Sequence, residues 1–161
     1  MRFPRWTAAT IALGLCGLTA GSVASAAPAP VPPDPPQQLV VGTLDGPADT
    51  VKDRIALRVR SDTTVRTFQL TYPVGSNSGW HEHPGIVLAV VESGTVIRSV
   101  GCSSQKFTAG QAFTEAAPHK VFNYYRSEQT PGARPAVLRI TQLFPKGATE
   151  LRVPVPPPDC S

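Results

Sequence analysis

The sequence predicts an all-β fold, a sandwich or small barrel built from eight or more short strands. Stretches in which apolar and polar residues alternate recur along the chain, whereas no stretch of a dozen residues spaces its apolar residues three and four apart. Glycine, proline, serine and asparagine separate these stretches at the intervals typical of turns between strands. At 161 residues and 17.0 kDa, the chain has the length of one domain.

Residues 1–26 have the pattern of a secretory signal peptide. Arg2 and Arg5 precede an apolar run, and the small residues at 24–26 predict cleavage after Ala26. The run is short and weakly flanked for a membrane span, and no second apolar stretch follows it. We therefore expect the leader helix to be removed, leaving a secreted or periplasmic protein without a membrane anchor.

Proline marks both ends of the predicted domain. Six of the 18 prolines fall within 28–36 and four within 154–158, so both segments are expected to be extended. We predict a Pro-rich linker over 27–38, a β-barrel over 39–155 and a C-terminal tail over 156–161.

Several strands can be placed within this domain. Residues 55–60 alternate and put Ile55, Leu57 and Val59 on one face, which predicts a half-buried strand. The uninterrupted apolar run 86–91 predicts a strand covered on both sides. Further strands are predicted around 68–72, 95–100, 107, 111–114, 120–125, 136–144 and 151–153.

The charge excludes one class of partner. The formal net charge is +4, but two of the fifteen Lys and Arg residues lie in the leader, so the mature chain carries +2. The remaining basic residues are scattered and form no cluster that would neutralise several phosphates, so we expect no nucleic-acid binding.

Two cysteines remain after removal of the leader, which contains Cys16. An even pair in an oxidising compartment predicts a disulfide between Cys102 and Cys160, and two unrelated thiols are the alternative. This bridge would tie the C-terminal tail to the barrel.

The chain has three histidines, and two of them stand at His81 and His83. Residues two apart on a strand point to the same side, so both imidazoles can face one point inside a barrel. His119 begins a segment in which Asn123 shares its face. Three imidazoles that meet at an ion leave coordination positions open, which is typical of a catalytic metal site. Two histidines on a solvent-exposed face are the alternative.

The order and spacing of these residues resemble the cupin family of small β-barrels. Gly75 lies six positions before His81, and Gly94 closes the first motif after His-x-His. Gly110, His119 and Asn123 resemble the second motif. The resemblance implies a double-sheet jelly roll with one divalent transition metal ion (Zn, Cu, Fe, Ni or Mn) held by His81, His83 and His119, and it permits a homodimer paired through a sheet edge.

The chain departs from the family pattern at the position of the Glu ligand. Val87 and Leu88 stand there, so we expect a three-histidine site without a carboxylate. Glu115, placed in a loop, is expected to act as a general base or to accept a hydrogen bond from a ligand N–H. Asn123 is expected to orient His119 or to serve a turn. The expected pocket wall, or else plain core, consists of Phe68, Tyr72, Phe113, Val121 and Ile140.

Three functions remain open at this level. The first is an exported metal-dependent oxygenase that acts on a small phenolic or diketone-like molecule, resembling quercetin and diketone dioxygenases. The second is a module outside the cytoplasm that binds a metal or small ligand without turnover. The third is a structural barrel, which would leave the His-x-His pair unexplained.

Overall fold

The computed structural model describes residues 31–115, 123–127 (backbone only) and 131–160. All regular elements in these ranges are β-strands, and none of the described residues forms a helix able to cross a membrane. The leader 1–26, His119 and Val121 lie outside the described residues, as does the side chain of Asn123.

Twelve strands are formed, and the first six lie in the N-terminal half of the described chain. They are β1 Gln37–Leu44, β2 Ala48–Lys52, β3 Ile55–Val59, β4 Thr63–Tyr72, β5 His81–Glu82 and β6 Ile86–Ser93. The others are β7 Thr95–Val100, β8 Ser103–Thr108, β9 Ala112–Glu115, β10 Asn123–Ser127, β11 Ala136–Pro145 and β12 Val153–Pro154.

The strands form two antiparallel five-stranded sheets and a separate hairpin. The first sheet has the order β1-β4-β11-β6-β9 and the second β12-β5-β10-β7-β8, whereas β2 pairs with β3 alone. The prediction of an all-β, double-sheet fold is therefore confirmed.

The apolar core lies between the two sheets. The first sheet contributes Leu138 and Val91, and the second contributes Val96 and Phe107, all buried. Alternation is clearest on β11, where every second residue from Ala136 to Phe144 is buried. Because successive side chains of a strand point to opposite faces, one face of each central strand supplies the core.

Two burial predictions are wrong. Strand β3 forms as expected, but Ile55 is 77% and Leu57 41% exposed, because its hairpin pairs with neither large sheet. Strand β6 is covered on one face only: Val87, Ala89 and Val91 are buried, whereas the side chains between them, such as Leu88, are more than 40% exposed. Antiparallel sheets commonly leave one face to solvent.

The predicted disulfide is formed between Cys102 and Cys160, with Cα atoms 5.6 Å apart. It closes a loop of 58 residues and holds the C-terminal tail against the turn between β7 and β8. In the chain-entropy description, a loop of this length stabilises the fold by about 4 kcal/mol. The bond is typical of proteins outside the cytoplasm.

Candidate metal centre and its cavity

Backbone geometry around β5 presents the two histidines to the interior. Gly79 has φ +67°, a conformation that glycine adopts without strain, and its carbonyl lies beside His81. Gly85 packs so closely on β11 that a Cβ atom would lie 2.0 Å from the Leu143 carbonyl oxygen. The backbone conformation at Gly79 and the close packing at Gly85 thus explain why glycine stands on either side of His-x-His.

Hydrogen bonds to the backbone fix the tautomer of both imidazoles. Nδ1 of His81 lies 2.8 Å from the Gly79 carbonyl oxygen, and Nδ1 of His83 lies 2.7 Å from that of Leu151. Because a carbonyl oxygen only accepts, each Nδ1 carries the proton and donates it. In the neutral rings Nε2 then presents a lone pair, the form in which histidine binds metals.

Burial keeps His81 in this form. Its side chain is almost fully buried, and this desolvation, the largest effect, lowers the pKa of His81 to about 4. The hydrogen bond to Gly79 and the Glu115 charge act in the opposite direction, but burial prevails. The imidazole of His81 is therefore neutral at physiological pH.

Glu115 brings a carboxylate to the same point. Its Oε2 lies 3.1 Å from Nε2 of His83 and 4.0 Å from Nε2 of His81, and the side chain is 5% exposed. The expectation of a site without a carboxylate is therefore wrong. Glu115 is also the last residue of β9, not a loop residue, and the strand aims its side chain inward beside Phe113.

The donor set fits a metal ion. Glu115 Oε2 is buried and receives no hydrogen bond within the described part of the chain, although the lone pair of His83 Nε2 faces it at 3.1 Å. Only a proton or a cation between the two atoms satisfies both. Two ligands bound at about 2.1 Å and at a right angle would lie about 3.0 Å apart. The three donor atoms lie within 4.8 Å of one another, so His81, His83 and Glu115 could together bind one ion.

A cavity of about 380 Å³ opens beside these donors. Phe68, Tyr72 and Ile140 line it and belong to the hydrophobic core as well, whereas Phe113 packs in the core with its ring centroid 4.6 Å from that of Phe107. Burial, and then the charge of Glu115, raise the pKa of Tyr72 well above its usual value. The Tyr72 hydroxyl in the cavity therefore stays protonated.

The N-terminal prolines also line the cavity. Residues 32–36, here called the proline strap, are held by hydrogen bonds on both sides: the Asp34 N–H donates to the Thr71 carbonyl, and the Asn77 N–H donates to the Val31 carbonyl. Each of these bonds is 2.9 Å long. The segment expected as a linker thus forms part of the cavity wall.

Two neighbouring rows of inward side chains cross β4, β11, β6 and β9. The apolar row consists of Phe68, Ile140, Ala89 and Phe113. The polar row, displaced by two residues on each strand, consists of Arg66, Gln142 and Glu115 together with the apolar Val87. All members of the polar row line the cavity.

Sequence reasoning missed Arg66 and Gln142. The available signal was strand parity, because Arg66 shares the inward face of Phe68, Leu70 and Tyr72. Gln142 interrupts the buried apolar positions of β11 in the same way. A polar residue at an inward position of a strand is an informative exception.

No protein-family model and no curated protein sequence matches the chain. Similar solved structures include a cupin-like protein from Thermotoga maritima (14% identity, TM-score 0.45, covering 56% of this chain and 64% of that one). The DMSP lyase DddQ from Ruegeria pomeroyi DSS-3 has 14% identity and TM-score 0.46, covering 56% and 43%. An oxalate oxidase in complex with the substrate analogue glycolate has 16% identity and TM-score 0.40, covering 48% and 41%.

One of these proteins is described as cupin-like, the family that the sequence resembles. At these identities such similarity concerns the fold alone, and the matched region spans less than half of the DMSP lyase and oxalate oxidase chains.

Proposed function

We propose that the protein is an exported metal-dependent enzyme that acts on a small molecule in the cavity beside His81, His83 and Glu115. The observation that carries this proposal is the convergence of two imidazole Nε2 atoms and one buried carboxylate oxygen at the wall of a cavity of about 380 Å³. Cavities of this size take one small ligand.

The donor chemistry favours a catalytic ion over a structural one. Two imidazoles and one carboxylate leave positions open, which is the arrangement of non-haem iron oxygenases. A bound divalent ion would supply Lewis acidity towards an enolate or phenolate oxygen, together with redox chemistry towards oxygen. We propose His119 as a further ligand, since the sequence motif places it after β9.

The protein residues around the donors would hold and shield such a substrate. Phe68 and Ile140 offer an apolar wall for a ring or short chain, and the protonated Tyr72 hydroxyl can donate a hydrogen bond to a substrate oxygen. The proline strap limits the access of water on the side of the N-terminus. These features support an oxygenase for a phenolic or diketone-like molecule.

Export is part of the proposal. The Cys102–Cys160 disulfide supports a location outside the cytoplasm, and the leader pattern at 1–26 would direct the chain there.

A module that binds a metal or small ligand without turnover is the second candidate. It is favoured by the position of Glu115: the carboxylate expected to act as the base lies among the metal donors, where a ligand bond would occupy it.

Elemental analysis of the protein purified through its export route tests whether it binds a metal ion. We expect about one transition metal ion per chain, and His83→Ala should abolish stoichiometric binding because it removes one donor. Glu82→Gln is the matched control, since Glu82 lies between the two histidines and is not among the residues that line the cavity. Wild-type protein without metal, or His83→Ala with full occupancy, would refute the metal centre.

Oxygen consumption with a panel of phenols and diketones then separates the two candidates. Uptake by the loaded wild-type protein, absent in His83→Ala, supports the enzyme. Full metal occupancy with no uptake across the panel favours the binding module.

A further inference from the structure

Arg66 brings a positive charge into the interior of the double sheet. Its Nε donates a 2.5 Å hydrogen bond to Oε1 of Gln142, and its guanidinium lies 4.9 Å from the ring centroid of Phe68 and 5.9 Å from that of Phe144. These contacts fix the orientation of the guanidinium. Burial lowers the pKa of Arg66, but the group remains charged.

Arg66 has no carboxylate partner in the described ranges. Two other arginines form ion pairs, Arg58 with Asp49 and Arg139 with Glu92. No ion pair among the described residues includes Arg66. Its terminal amino groups therefore remain available to a ligand in the cavity that they line. Planar recognition of a carboxylate by two parallel hydrogen bonds is the characteristic use of arginine.

Gln142 lies between this guanidinium and the metal donors. Its amide oxygen accepts from Arg66, and its Nε2 lies 3.4 Å from Nδ1 of His83, a contact without a hydrogen bond because that Nδ1 donates to the Leu151 carbonyl. Only one side chain thus separates Arg66 from His83, and both line the same cavity, so one small molecule in it can contact the guanidinium and approach the metal donors.

With a divalent metal ion bound, the charges around the cavity would favour an anionic ligand. Among the described residues that line the cavity, Arg66 and Arg152 are cationic and Asp34 and Glu115 are acidic. These four charges cancel, and a divalent ion adds two positive charges that no described lining residue balances. An anionic ligand would restore neutrality in a partly desolvated site.

We propose that the substrate carries a carboxylate, which Arg66 binds at the end of the polar row opposite Glu115 while another oxygen of the same molecule approaches His81, His83 and Glu115. This inference rests on the proposed function and names its substrate class, a small organic acid. Arg66 selects the acid over its neutral analogue, and Gln142 positions the guanidinium.

Calorimetric titration of zinc-loaded protein tests the proposal with 4-hydroxybenzoate as the probe and 4-hydroxybenzamide as its neutral counterpart. Zinc is redox-silent, so binding is measured without turnover. We expect the acid to bind about tenfold or more tightly than the amide, the effect of one charge-assisted contact. Arg66→Gln should abolish this preference, and Arg66→Lys should keep part of it.

The matched control is Arg139→Gln, which removes an arginine from the outer face of the same sheet, where it pairs with Glu92. The preference for the acid should be unchanged in this variant. Zinc content and melting temperature are measured for each variant before any probe is added, so a loss of fold is recognised separately. The comparison of acid with amide on the wild-type protein needs no variant.

Zinc bound to the wild-type protein with equal affinity for acid and amide would overturn the carboxylate proposal and leave the metal centre intact. A preference that persists in Arg66→Gln would overturn the role of Arg66. Tighter binding of inorganic phosphate than of the benzoate would replace the carboxylate by a phosphate. Wild-type protein that binds no zinc would remove the basis of both proposals.

Discussion

The apolar row and the polar row occupy the same four strands, face the same interior and lie two residues apart. All four residues of the apolar row belong to the hydrophobic core, and two of them, Phe68 and Ile140, also form the apolar wall of the cavity, whereas Arg66, Gln142 and Glu115 bring polar groups to that cavity. Both rows obey the same alternation. The difference shows that strand parity decides which side chains enter the interior, and that residue chemistry decides whether they add apolar packing or polar groups there.

Truncation of Leu138 tests how much apolar packing contributes to stability. This residue lies on β11, two positions before Ile140 of the apolar row, and is 2% exposed. Leu138→Ala should lower the free energy of unfolding by about 3 kcal/mol, because it removes buried methyl groups and leaves a cavity. Denaturant unfolding measures the change. Metal stoichiometry should not change, and its loss would show that the two rows are not separable.

The polar side is tested by Glu115→Gln. The amide is a poor metal ligand, so metal affinity should fall by more than about a hundredfold, beyond the roughly 10–100-fold loss typical of a residue that only supports a ligand. The free energy of unfolding of the metal-free protein should not fall, because the substitution removes a buried charge without a hydrogen-bond donor.

Glu92→Gln is the matched control for Glu115→Gln, since Glu92 pairs with Arg139 on the outer face of the sheet. Metal titration and thermal unfolding of both variants give the contrast. Equal metal affinity in the two variants would exclude Glu115 as a donor.

The pH dependence of stability separates the apolar row from the candidate metal donors. The apolar row contains no titratable group, whereas the donors include His81. The pKa of His81 is about 4 in the folded state and about 6.5 in the unfolded state, so the unfolded state binds more protons between these values. The stability of metal-free protein should therefore fall as pH decreases from 6.5 to 4, by about 2 kcal/mol at pH 5 from this group alone.

Unfolding curves of the wild-type protein and His81→Gln at pH 7 and pH 5 measure the effect of His81. The variant should lose less stability over this interval than the wild type. Identical losses would place the pH dependence elsewhere in the chain.

The smallest effect is expected on the β2–β3 hairpin. Ile55 alternates with polar residues as the core strands do, yet it is 77% exposed. Ile55→Ser should change the free energy of unfolding by less than about 0.5 kcal/mol. A loss comparable to that of Leu138→Ala would show that this hairpin packs against another surface in solution.

Much of the fold could be predicted because alternation and turn residues are local properties. The strands around Phe68, Ile86 and Ala136 follow from them, and the Cys102–Cys160 bridge follows from counting. The exposure of β3 could not be predicted, because its pattern is that of a buried strand and only the absence of a facing sheet leaves it in solvent.

The candidate site was predicted in part. His81 begins β5 and His83 directly follows it, so the proximity of their rings is a local consequence of their spacing along the chain. Glu115 meets them through the pairing of β9 with β6, and Arg66 reaches the cavity through the pairing of β4 with β11. Such contacts depend on register between distant segments, which no local pattern specifies.

The sequence by itself determined the all-β class, the inward pair of histidines and the disulfide, because each depends on neighbouring residues or on a count of cysteines. Only the tertiary structure decided that a carboxylate joins the histidines, that a guanidinium lines the same cavity and that the proline strap forms part of its wall. These features depend on the order and register of strands that are distant in sequence; Arg66 and Gln142, for example, are 76 residues apart. That order is set by the packing of the whole double sheet.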